Sequence, residues 1–287
     1  MKFLQFVPIL FLLSVIAHAA PKEWPAKIRF GLIPFEGSGA NVKERFAPMF
    51  DYLSQKLGVP VVYSTASDYA GIITAMEHGH IDFAYLGPKS YVEAAKKADA
   101  RVLVKEVNIN GYSGYHGLII TRSDSGINSI KDAQGRTFAF TGPNSTSGYL
   151  VPNIRFYRSK PPIIPSRFFK QIKFSGHHKS SILSVKNRSI DVAATNDVDL
   201  EKMIKRGIIK KGEMKILWKS DIIPGAVIAA RRKLPSSMKM SFKKAMLNLP
   251  YKVKKILGNG GFTDVKDSEY DIIRYMISLK KKLSRKK

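Results

Sequence analysis

Apolar and polar positions alternate from Lys27 to Pro34, which predicts a first strand. The pattern then changes period. A Gly/Ser turn is expected over Glu36 to Asn41. Phe46, Met49, Phe50, Leu53 and Leu57 then recur at helical spacing, so Val42 to Leu57 reads as an amphipathic helix with Gly58 as its C-cap. Val59 to Tyr63 is a second strand, and Ser67-Asp68 can cap a helix over Tyr69 to His78. Ile81 to Leu86 is a third strand, followed by a helix over Tyr91 to Ala98. Strands alternating with helices predict an α/β unit with a largely parallel sheet.

Tyr115 to Thr121 is a β-rich crossing segment, after which the pattern restarts. A short element at Ile130 to Gln134 precedes a strand at Thr137 to Phe140, a Ser/Thr loop and a helix. Then come a strand at Ile172 to Phe174, a helix from His178, and a strand at Ile190 to Ala194. Ile222 to Ala230 is a second apolar crossing. Two α/β units joined by two crossings imply two lobes with a cleft between them. Residues 20–119 and 222–287 form lobe 1, and 120–221 form lobe 2. The helices from Pro235 onward are expected to pack on lobe 1. Ligands of such sheets sit beyond the carboxyl ends of strands, at helix N-termini.

The first residues change the compartment. Lys2, the apolar run Phe3 to Ile16 and Ala17-His18-Ala19 have the layout of a cleaved signal peptide, residues 1–19, with the exported chain starting at Ala20. The apolar run is too short to span a bilayer. The 287 residues contain no Cys, so neither a disulfide framework nor a lipid-modified Cys is available. These features predict a protein of the Gram-negative periplasm. A formal net charge of +26 would first suggest nucleic acid, but export argues against that partner. A solvated basic surface and tail is the plain reading. A positive field that gathers small anions or faces anionic membranes is the functional one.

The segment with the most chemistry is GPNSTSGYLVP, Gly142 to Pro152. Ser145, Thr146 and Ser147 follow a strand and open a helix-like segment, with Gly148 allowing close backbone approach. Hydroxyls and N–H groups at a helix start make an anion cradle. An ordinary Ser/Thr N-cap is the competing reading. The loop has no Lys, so it is not a nucleotide-binding P-loop. Tyr69 is alternatively a core aromatic at a helix start, and Tyr85 a cleft-wall residue. His78-Gly79-His80 and the adjacent His177-His178 lack metal-ligand spacing, so neither a metal nor a cofactor is expected. Asp82 and Asp191 open strands and read as structural, and Trp24 and Trp218 as packing.

At SDYAGIITAM, IDFAYLGPKSY, GYHGLII, GPNSTSGYLVP, SGHHKSSILSV, IDVAATN, LWKSDIIPG and GFTDVKDSEYDIIR, in that order, the chain resembles the phosphonate/phosphite/phosphate-binding proteins of ABC importers, the PhnD-like family. The resemblance covers nearly all of the exported chain. It implies an α/β, two-lobed class II periplasmic-binding-protein fold with two crossover hinge segments, near Ile119 to Thr121 and Ile222 to Gly225. It also implies a receptor, not an enzyme, that hands an oxyanion to an inner-membrane permease. Tyr69, Tyr115, Ser145, Thr146, Ser147 and His178 match the family's ligand-binding positions. Members that grip an aminoalkyl phosphonate carry acids where this chain has Val198 and Ala226. Those two residues are therefore expected as cleft wall, and the ligand as an anion without an amine: phosphite, phosphate or methylphosphonate. The alternatives are a sulfonate or other organic-anion receptor, and a sensing partner of a signalling kinase. A phosphoester hydrolase would need a nucleophile–base pair or metal cluster that the sequence does not offer. A monomer is expected.

Overall fold

The computed structural model describes residues 21–34 and 40–285. The expected signal peptide and most of the expected Gly/Ser turn lie outside the described residues, as do Lys286 and Lys287. The elements in chain order are β1 (Ile28–Leu32), α1 (Ala40–Leu57), β2 (Val61–Thr65), α2 (Tyr69–Glu77), β3 (Phe83–Leu86), α3 (Pro88–Lys97), β4 (Ala100–Val107) and β5 (Gly114–Arg122). They continue as β6 (Thr137–Phe140), α4 (Val151–Tyr157), α5 (Pro165–Phe168), β7 (Gln171–Phe174), α6 (His178–Lys186), β8 (Val192–Asn196), α7 (Asp197–Lys205) and β9 (Met214–Pro224). The last are β10 (Val227–Arg231), α8 (Ser236–Leu247), α9 (Tyr251–Leu257), β11 (Gly261–Thr263) and α10 (Asp271–Arg285).

The strands form two sheets, in the orders β11-β4-β10-β3-β1-β2 and β7-β6-β8-β5-β9. The strands β1, β2 and β3 are mutually parallel, as are β6, β7 and β8. In contrast β10 runs against β3 and β4, and β5 runs against β8 and β9. Both sheets are thus mixed, not largely parallel. The reason is geometric: β5 and β10 follow the crossings, so each enters its sheet at the cleft and runs away from it.

The crossings also sit elsewhere than the hydrophobic pattern suggests. All of β5 pairs in the second sheet, from Gly114 opposite Pro224 to Arg122 opposite Met214. The chain therefore changes lobe over residues 108–113, not at 119. The return is confined to Gly225 and Ala226, between β9 and β10, rather than starting at Ile222. The two crossings lie against each other: Gly225 N donates to Ser113 O at 3.0 Å. A Cβ at Gly225 would stand 2.8 Å from Glu106 O, so only glycine fits there. The buried Tyr270 hydroxyl donates to Gly225 O at 2.8 Å and fixes this hinge from the C-terminal side.

One core lies on one face of the first sheet, where Phe30, Phe83 and Tyr85 meet Phe46, Phe50 and Leu53 of α1 and Met238 and Phe242 of α8. Two smaller cores flank the second sheet. A further cluster joins the lobes, with Tyr69, Ile72, Leu86 and Tyr91 from one and Leu150, Val151, Ile154 and Ile223 from the other. Helices α8 and α9 pack on α1, as expected of lobe 1, but α10 packs against both α3 and α4 and so spans the two lobes. Lys280 Nζ of α10 donates to Tyr149 OH at 3.1 Å. Asp82 is structural: its carboxylate accepts from Arg29 Nε and Nη2 and from Arg231 Nη2 at 2.7–2.9 Å, tying β1 and β10 to β3. Asp191 likewise takes Thr137 N and Oγ1 at 2.9 and 2.8 Å.

Candidate functional site

After β6 the chain turns through Gly142 and Asn144, and Ser145 caps the helical turn beyond them. Its Oγ accepts from Gly148 N at 3.0 Å. Thr146–Leu150 forms one π-helical turn that runs directly into α4. The wide turn is closed by Leu150 N donating to Ser145 O at 3.2 Å, and Thr141 N donates to Gly148 O at 3.0 Å. The loop folds flat against the end of β6, which requires Gly148: a Cβ there would lie 2.1 Å from Thr141 Oγ1. The turn presents the Ser145, Thr146 and Ser147 hydroxyls at a helix start, where backbone N–H groups lack intrahelical acceptors.

Other elements bring their side chains to the same place. Asp68 caps α2 through Gly71 N at 2.8 Å, and this sets Tyr69 at the head of the helix. Tyr69 is buried with its ring edge on Gly142, and its hydroxyl meets Ser145 from the opposite lobe. Tyr115 on β5 brings its hydroxyl close to those of Thr146 and Ser147. Yet Ser147 Oγ, fully buried, completes no hydrogen bond of ordinary geometry. His177 caps α6, accepting from Ser180 N at 3.2 Å, so His178 starts the helix. The His178 Nδ1 lies 3.2 Å from Thr195 Oγ1 and 3.4 Å from Thr141 Oγ1. That leaves its Nε2 as the ring nitrogen without a neighbouring hydroxyl.

Tyr69, Tyr85, Tyr115, Ser145, Thr146, His178, Val198 and Ala226 line one cavity of about 320 Å³ between the lobes. Ser147, almost fully buried, does not line it. The expected residues are thus brought together from α2, β3, β5, the π-turn, α6, α7 and the second crossing. The lobes touch across the cavity: Lys89 N donates to Thr146 Oγ1 at 2.9 Å, and Ser90 Oγ to Asn144 O at 3.1 Å.

Burial governs the ionisation of the wall. It pushes the Tyr69 hydroxyl well above the usual tyrosine range, with the Asp199 carboxylate adding and the Ser145 hydrogen bond opposing. Burial also raises Tyr115, against the Thr146 and Ser147 hydroxyls, and raises Tyr85, where Glu106 adds to the effect. All three therefore stay neutral donors at neutral pH. Burial lowers His178, and Asp199 opposes it. The imidazole is therefore neutral at neutral pH, and an arriving anion would favour its protonation.

Residue spacing did not reveal the acids here: Glu106, Asp197, Asp199 and Glu201 all line the cavity. Glu106, near the end of β4, lines the cavity and accepts from Asn259 Nδ2 at 2.9 Å. Asp199 in the first turn of α7 also lines it and accepts from Asn196 Nδ2 at 2.7 Å. Its charge is felt at Tyr69, Tyr85, Tyr115 and His178. Val198 and Ala226 also line the cleft, which holds acids together with the bases Arg45, Lys202, Lys205, Arg206 and Lys255. Glu106 was hidden because β4 carries no clear alternation, and Asp199 because it stands one residue beyond Val198. Asp197 itself is structural in part, accepting from His116 N and Val198 N at 2.9 Å.

Residues 30–270 match the family model of the ABC transporter phosphonate periplasmic substrate-binding proteins. The chain belongs to this family. It is 35% identical over 240 residues to the phosphonates-binding periplasmic protein of Escherichia coli, covering 82% of this chain and 70% of that one. It is 31% identical over 280 residues to the phosphate-import protein PhnD of Mycolicibacterium smegmatis, covering 88% and 85%. Its structure resembles the binding-protein component of an ABC phosphonate transporter from Pseudomonas aeruginosa, with a TM-score of 0.83 and 32% identity over 90% of this chain and 87% of that one. The two-lobed α/β fold is that of periplasmic binding proteins, and the family is one of transport receptors. Among the described residues no helix is long and apolar enough to cross a membrane.

Proposed function

We propose that this protein receives an alkylphosphonate in the interlobe cleft and delivers it, as a monomer, to the permease of an ABC importer, without chemistry on the ligand. The observation that carries the reading is a set of neutral hydroxyl and imidazole donors from both lobes on one cavity: Tyr69 from lobe 1, and Tyr115, Ser145, Thr146 and His178 from lobe 2. Hydrogen bonds to an oxyanion are charge-assisted and strong. A ligand gripped from both sides favours the closed arrangement of the lobes by its differential affinity for it. In this reading the phosphonate lies on the Ser145–Ser147 loop and its substituent points toward Glu106 and Asp199. Those carboxylates suit a substituent with a positive charge, which makes 2-aminoethylphosphonate the better ligand and replaces the amine-free expectation.

Calorimetric titration of ligand-stripped protein against phosphite, phosphate, methylphosphonate, 2-aminoethylphosphonate and sulfate tests this. The expected order places 2-aminoethylphosphonate above methylphosphonate and both above sulfate. Asp199→Asn should shrink the difference between the two phosphonates about tenfold or more, the size of one charge-assisted hydrogen bond. Absence of binding to every phosphorus compound would overturn the receptor reading. Methylphosphonate equal to or above its amino analogue would overturn only the substituent assignment.

A further inference from the structure

Five of the chain's 48 Lys and Arg residues line the cleft, beside four acids, so most of the formal charge of +26 lies outside it. Part of it lies on α8 and α9. Between Ser236 and Leu257 there are six lysines and no acid. The inner side of this helix pair is committed to the core through Met238, Phe242, Met246, Val253 and Leu257. Tyr52 OH, donating to Asn248 O at 3.0 Å, pins the link between the two helices.

The outer side is unusual. Met240 is 67% exposed and Tyr251 76% exposed, with Leu247 and Ile256 also exposed. On α8, Met240, Lys244 and Leu247 are spaced i, i+4, i+7 and share one face. Lys244 and Lys252 are exposed beside these apolar groups, and neither has a carboxylate partner among the described residues. Single exposed apolar residues need no explanation. The Met240–Lys244–Leu247 face of α8, with Tyr251 and Lys252 exposed at the start of α9, has a specific complement. Its lysine heads match phosphate headgroups, while the Tyr, Met and Leu side chains match the acyl boundary just beneath.

We propose that the outer face of α8 and α9 docks on an anionic lipid bilayer, holding the receptor at the membrane surface. The attraction is electrostatic at range and apolar on contact. Anionic leaflets attract lysines within about a Debye length, roughly 8–10 Å at physiological salt. Ile256, also exposed on α9, lines the cleft as well.

The test is co-sedimentation of the exported chain, residues 20–287, with large vesicles of phosphatidylcholine alone or mixed with phosphatidylglycerol, across a salt series. The protein should sediment with the anionic vesicles, release as salt rises, and ignore the neutral ones. Lys244→Glu/Lys252→Glu should lower the partition coefficient about tenfold or more. Met240→Ser/Tyr251→Ser should weaken binding that persists at high salt. Neither pair touches the cleft, so phosphonate titration and denaturation of both variants should match the parent and verify their folding. Equal binding to neutral and anionic vesicles would overturn the proposal. So would charge-reversal variants that bind like the parent, since the site would then lie elsewhere, or capture of an acidic protein in place of lipid.

Discussion

Gly148→Ala is the substitution that best separates a built anion loop from a plain helix cap. Gly148 sits in a helical turn, where alanine is intrinsically the better residue by roughly 0.8–1 kcal/mol. Propensity alone therefore predicts stabilisation. The surroundings predict the opposite. The new Cβ would lie 2.1 Å from Thr141 Oγ1, 2.3 Å from Thr141 Cβ and 2.9 Å from Ser145 Oγ. Ordinary carbon contacts need about 3.5 Å or more, so something must move by more than about 1 Å. Thr141 is held at the end of β6, with its Oγ1 donating to Ala194 O at 3.2 Å and lying 3.3 Å from Ser181 Oγ. The π-turn is the softer partner and should shift outward, carrying Ser145 and Thr146 with it. Overpacking of this kind costs about 1–3 kcal/mol, which exceeds the propensity gain. The net loss in denaturant unfolding should be up to about 2 kcal/mol. Losing one charge-assisted hydrogen bond to the ligand costs about 1.5–3 kcal/mol, a drop in phosphonate affinity of roughly 10–150-fold. Gly87→Ala is the control: it borders the same cavity, but its Cβ would meet only Ile33 Cδ1 at 3.8 Å. Its affinity should stay within a few-fold of the parent. Gly148→Ala binding as tightly as the parent, or a Gly87→Ala loss of equal size, would refute the reasoning.

The wall of the cleft sets two further outcomes. Ser147→Ala should leave the ligand-free protein equally stable or more stable, by up to about 1–3 kcal/mol, because it removes a buried hydroxyl without a hydrogen bond. If that hydroxyl turns to the ligand, affinity falls at the same time; paired denaturation and calorimetry would expose the wrong sign of either. His178 has its pKa lowered by burial, so the unfolded chain, near the ordinary value of 6.5, binds a proton that the folded chain resists. Stability of the ligand-free protein should therefore fall as pH drops below about 6.5, and His178→Gln should flatten that part of the pH–stability curve; an unchanged curve would contradict the assignment.

Much of the site was legible because capping chemistry is local. Asp68 before Tyr69 and Ser145 before Thr146 declare helix starts, and helix starts are where donors converge. The rest was not legible. The strand β4 reads RVLVKEV, with charges interrupting its apolar positions, and without it Glu106 had no place in the cleft. The strand β5 is apolar on both faces, so its alternation vanishes and its start could not be told from a crossing. The reach of α10 across both lobes depends on Lys280 meeting Tyr149, residues 131 positions apart, which no periodicity encodes.

By itself the sequence determined the two α/β units, the helix starts that carry Tyr69, Ser145 and His178, and membership of a family of phosphonate receptors. Each rests on near-neighbour chemistry or on motif order, both of which a linear chain preserves. Tertiary structure decided where the lobes join, that both sheets are mixed, and that Glu106 and Asp199 share a cavity with the tyrosines. Those outcomes depend on which distant segments burial brings together, and on how burial then holds three tyrosines and a histidine neutral around one cleft.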